Sequence, residues 1–63
     1  MNKDLQDKID LEARVIKTDK LTGIEKEEHN VKAMKWLQEE CDNKGYSLVE
    51  YVTYYFNKCN ELS

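Results

Sequence analysis

Two cysteines and one histidine, Cys41, Cys59 and His29, are the side chains in this 63-residue chain best suited to bind a metal, close a disulfide or attack a carbonyl. Their spacing argues against all three. A metal site needs several ligands converging from close positions, and one histidine with two distant cysteines supplies no such cluster. If the segments carrying the cysteines form an antiparallel helical hairpin, Cys59 lies about 16 Å beyond the point opposite Cys41. A disulfide requires Cα atoms within about 7 Å, so both thiols are expected to stay free as small apolar residues. His29 has no neighbouring nucleophile and no group to orient it as a general base. No catalytic residue, metal or other cofactor is expected, and no small-molecule substrate.

Carboxylates occur throughout the chain, and two groups stand out, Glu25, Glu27 and Glu28, and Glu39, Glu40 and Asp42. The first opens a predicted helix, where negative charge meets the positive end of the helix dipole. The second falls near the end of the same helix, where negative charge is mildly unfavourable, so Glu39, Glu40 and Asp42 are candidates for contact with a partner. Overall, 13 acidic residues against 10 basic ones give a net charge of −3, which disfavours non-specific attraction to a phosphate backbone.

The elements that must carry these residues are helices. Thr22 to Glu25 and Ser47 to Glu50 both read as capping boxes, with a hydroxyl at the cap and a glutamate three residues on. Gly45 can end the preceding helix in the left-handed conformation, and Tyr46 with Tyr51 can staple the next one. Helices are expected over about residues 4–17, 23–43 and 48–62, the first capped by Asp4. The β-branched pair Val15 and Ile16, with Thr18, offers a competing strand at 13–18, but a lone strand has no partner here.

At about 100° per residue, Ile24, Val31, Met34, Leu37 and Cys41 fall on the expected core face of the second helix. The third places Leu48, Val49, Tyr51, Val52, Tyr55, Phe56, Cys59 and Leu62 on one face; the first has a stripe of Leu5, Ile9, Ala13 and Ile16, widened by Leu11 and Val15. The expected fold is an all-α three-helix bundle in a single domain, with helices 2 and 3 as an antiparallel hairpin. His29, Ala33, Trp36 and Glu40 form a separate stripe, expected to face away from the core. Trp36 and His29 on that stripe, together with Tyr54 outside the main arc of helix 3, join the candidate partner contacts; tryptophan in particular is enriched at binding hot spots. Either helix 1 covers Trp36 or another molecule does.

Residues 34–56, MKWLQEECDNKGYSLVEYVTYYF, resemble the helix pair of ribbon-helix-helix repressors. Leu37 and Cys41 stand eight and four residues before Gly45, and Gly45 with Ser47 forms a G-x-S turn into an apolar helix. The resemblance implies an intertwined homodimer whose N-terminal strands enter the DNA major groove, with Arg14, Ile16 and Thr18 as readers. The sequence departs from that pattern at Glu40, where an apolar residue is usual, at Val49, where a second serine is frequent, and at Tyr55, where a small residue marks the helix crossing.

No apolar run approaches the roughly 18 residues of a membrane span, and residues 1–10 are too polar for a signal peptide, so a cytoplasmic location is expected. Three short helices with wide apolar sectors carry more apolar surface than a 63-residue monomer easily covers. The leading expectation is therefore a non-catalytic module that binds another protein, itself, or both, with DNA binding as the alternative. The small, acidic, proline-free chain, with nine of its ten basic residues lysine, also resembles phage and mobile-element products, among them anti-CRISPR proteins and other inhibitors of host machinery.

Overall fold

The computed structural model describes residues 1–62. It contains three α-helices, α1 (Lys3–Thr18), α2 (Gly23–Lys44) and α3 (Leu48–Leu62), and no strand among the described residues. Residues 13–18 are the closing turns of α1, so the expected helix forms there and the competing strand does not.

The ends of the helices show how the local sequence sets them. Asn2, not Asp4, caps α1: its side-chain oxygen accepts from the Leu5 amide at 3.0 Å. Asp4 sits in the first turn, where its charge meets the helix dipole. At the other end of α1 the Leu21 amide donates to the Ile16 carbonyl at 2.9 Å, with Lys20 in the left-handed region at φ 55°. The end of α2 repeats the device with the residue better suited to it. Gly45 takes φ 70°, and the Tyr46 amide donates to the Cys41 carbonyl at 2.9 Å. Tyr46 then stacks on Tyr51, with ring centroids 5.6 Å apart, which fixes the entry into α3. Thr22 departs from the expected capping box: its backbone is extended as a cap requires, but its side chain makes no capping bond, and Gly23 enters α2 at φ 57°.

Each helix buries one narrow stripe. Leu5, Ile9 and Ala13 of α1, Ala33, Leu37 and Cys41 of α2, and Tyr51 and Tyr55 of α3 recur at four-residue spacing and form the core. α1 packs most extensively on α3 and least on α2. Two tyrosines at the centre require polar partners for their hydroxyls. Tyr55 donates to Asn30 Oδ1 at 2.7 Å, and the Tyr51 hydroxyl accepts from the Asn2 amide at 2.8 Å.

The stripe on α2 is turned by roughly 70° from the expected core face. Ile24 and Val31 are 74% and 57% exposed, while Ala33, expected to point away, is fully buried. Apolar residues are spread almost all round α2, so hydrophobicity alone does not select a side. Side-chain size separates the two groups: the small Ala33 and Cys41 are buried with Leu37 in the core that holds the bulky Tyr51 and Tyr55, whereas the β-branched Ile24 and Val31 stand outside it. α3 also buries less than expected, with Val49 75% and Phe56 43% exposed, and α1 leaves Leu11 in water.

Replacing Gly45 with alanine forces a Cβ into left-handed backbone, although open space surrounds it. The expected cost is about 1–2 kcal/mol, measurable as a lower denaturation midpoint with an unchanged m-value.

Candidate binding surface

Five side chains of the hairpin turn towards α1 and are held by it. His29 Nε2 lies 2.8 Å from the Glu12 carbonyl and 3.5 Å from its carboxylate. A carbonyl can only accept, so that nitrogen carries the hydrogen. The Lys8 ammonium stands 4.5 Å from the centre of the Trp36 ring, an arrangement stabilised by the ring quadrupole. The Tyr54 hydroxyl donates to Asp10 Oδ1 at 2.8 Å, and Lys58 Nζ lies 3.9 Å from the same oxygen. Tyr51 completes the seam through Asn2.

Three of the expected partner contacts, His29, Trp36 and Tyr54, are thus half-buried and engaged within the chain. The stripe of His29, Ala33, Trp36 and Glu40 is part of the inner side of α2, contrary to the expectation that it faces away. The reason is the rotation of α2, which brings this stripe round to α1. Of the open alternatives for Trp36, α1 supplies the cover. The indole Nε1 is buried without an acceptor, so its burial costs desolvation that no hydrogen bond returns.

The acidic cluster divides. Glu40 pairs with Lys44 one turn on, at 2.7 Å, and that hydrogen bond lowers the carboxyl pKa while raising that of the lysine. Glu39 and Asp42 remain exposed. Arg14 and Thr18, the readers implied by the repressor resemblance, are exposed on α1, and Ile16 is half-buried, lining a crevice of about 200 Å³ with Ala13, Leu21 and Leu62. All three lie on a helix instead of the strand that such readout uses.

The titratable groups of the interior favour their neutral forms. Burial raises the pKa of Cys41 and of Cys59, which are free thiols, and so disfavours the nucleophilic thiolate. Burial also raises Tyr55 strongly, and the hydrogen bond to Asp10 raises Tyr54. Among the described residues no three of His, Cys, Asp and Glu converge on a point where a metal ion could sit. No helix of the described chain is long and apolar enough to cross a membrane.

The surface that hydropathy did not anticipate lies on the other side. Ile24, Val31, Val49 and Phe56 are all exposed, and they stand roughly 140–160° round their helices from His29 and Tyr54, the residues that touch α1. Because α2 and α3 run antiparallel, turning away from α1 on each helix leads to the same side of the hairpin. By helical geometry the four side chains point to the side of the hairpin turned from the body of α1; Ile24 and Val31 line a crevice on α2, and Val49 borders another with Met1 and Tyr54. Their signal in the sequence was an apolar arc on each helix too wide for one contact.

The chain matches no known family model, no curated protein and no solved structure. Function must therefore be argued from the fold and its surface.

The raised tyrosines give a pH dependence with a definite sign. A group whose folded pKa exceeds its unfolded value, about 10 for tyrosine, stabilises the fold below that value and loses the contribution as pH rises through the folded pKa. Stability is therefore expected to fall steadily above pH ~10, and Tyr54→Phe and Tyr55→Phe to reduce the slope. Unfolding midpoints measured across the alkaline range, variant against wild type, check this.

Proposed function

We propose that the protein is a non-catalytic helical module that acts by protein–protein contact, with the open face of the α2/α3 hairpin as its docking surface. The observation that carries this is the exposure of Ile24, Val31, Val49 and Phe56, which helical geometry turns to the side of the hairpin away from the body of α1. Scattered apolar residues are ordinary on any protein surface. Several on one face, rimmed by charge, are the usual mark of an interaction site. The rim here is Glu27, Glu28, Lys32 and Lys35 on α2, all exposed.

Two supports come from the rest of the molecule. The thiols favour their protonated forms and His29 is held against Glu12, so the side chains most capable of chemistry are committed to packing or structure. The small size and acidic balance also suit an inhibitor that covers a site on a larger machine, as the likeness to phage and mobile-element products suggests. In that role Glu39 and Asp42 would present carboxylates beside the apolar face, where a nucleic-acid phosphate would otherwise bind.

Aspartate at both Val49 and Phe56 is expected to leave the circular dichroism spectrum of the three helices intact, because neither side chain belongs to the buried core. The same double variant should reduce capture of the native partner, in affinity purification from the source cells, by about tenfold or more. Undiminished capture by a folded double variant would remove this face from the site.

A further inference from the structure

α2 is the longest helix, at 22 residues, and the one with apolar residues on two sides. The inner side is closed by α1 and α3. The outer side carries Ile24 and Val31 one heptad apart, with half-buried Met34 beside them and exposed Glu28 and Lys35 along one edge. A helix with two apolar sides normally has a neighbour on each. Among the described residues, neither Glu28 nor Lys35 has an ion-pair partner.

The order of these residues selects the neighbour. Glu28 and Lys35 occupy the same heptad position with opposite charge. In a parallel pairing of two α2 helices, each would face its own kind. In an antiparallel pairing about a two-fold axis near the middle of the helix, Glu28 of each copy lies opposite Lys35 of the other. The same register brings the exposed Val31 of each copy beside Val31 of the other, next to the two-fold axis. An isologous interface demands this reciprocity, in which residue i meets j and j meets i.

We infer that the outer side of α2 seats a second copy of this chain, giving an antiparallel α2–α2 dimer with Val31 at its centre and two Glu28–Lys35 pairs at its edges. This rests on the reading of the open face as a docking surface, and assigns its α2 half to self-association while Val49 and Phe56 on α3 stay available to another protein. The size of the contact sets its strength. The stripe from Ile24 to Lys35 runs about 18 Å and, at about 10 Å wide, offers roughly 180 Å² per chain. Stable interfaces use at least about 600 Å² per partner. The dimer is consequently transient and appears at high protein concentration.

Sedimentation velocity from about 5 µM to about 1 mM tests this on the full chain. A concentration-dependent shift from monomer to dimer is expected. E28K alone, or K35E alone, places like charges opposite one another at both edges and should weaken association about tenfold or more; the double variant E28K/K35E should return to within about threefold of wild type. Circular dichroism confirms that each variant is folded, as expected for exposed positions. A monomer at every concentration overturns the inference, as does a dimer that the single variants leave unchanged or the double variant fails to restore. Because Val49 and Phe56 are left intact, either result leaves their partner capture as a separate measurement, so failure of the dimer and failure of the docking surface are told apart.

Discussion

A bundle of three helices between 15 and 22 residues long can hide one narrow stripe from each, and this limit governs the rest of the molecule. Each stripe here is two or three residues at four-residue spacing. Tyr51 and Tyr55 of α3 are the largest side chains of the core, packed with Leu5 and Ile9 of α1 and Leu37 of α2, while α1 and α2 contribute an alanine each. Any apolar side chain beyond the stripe must either lie against the edge of the core, as Met34 and Val52 do, or stand in water. The wide apolar sectors of α2 and α3 exceed the limit. Their excess falls on one side because α1 covers only the other.

Polar contacts decide which side α1 covers. Asp10 receives the Tyr54 hydroxyl with Lys58 nearby, Glu12 meets His29, Lys8 lies over Trp36, and the Asn2 amide reaches Tyr51. These contacts line both edges of the apolar stripe on α1. Burial alone would tolerate a helix rolled by some tens of degrees in its groove. A roll here would strand hydrogen-bonding groups at the seam, and leaving such groups unmet costs more than the bonds themselves contribute.

Helix number, helix limits within one or two residues, the left-handed Gly45 and the stripe on α1 were all legible in the chain, because turns are local and α1 is strongly amphipathic; the capping side chains were not, since Asn2 caps α1 and Thr22 makes no capping bond. The orientation of α2 was not. Its apolar residues span most of its circumference, and which of them the other helices cover is set by tertiary packing, which has no local signature. That one rotation accounts for the misplacement of His29 and Trp36 outside and of Ile24 and Val31 inside. Tyr54 was legible as lying off the main arc, but its partner was not, since Asp10 is 44 residues away. The apolar excess itself could be read from composition and periodicity; the side on which it would lie could not.

Trp36 is the only tryptophan, and it lies at the seam between α2 and α1, the least extensive of the three contacts. Its indole nitrogen is shut away from water, and a charged lysine stands over its ring. The intrinsic fluorescence of the protein therefore reports on one seam more than on the fold as a whole. Emission responds when α1 parts from α2 and water reaches the indole, while opening at the contact between α2 and α3 leaves that chromophore comparatively undisturbed. In optical terms, the molecule carries a built-in gauge of the seam between its first two helices.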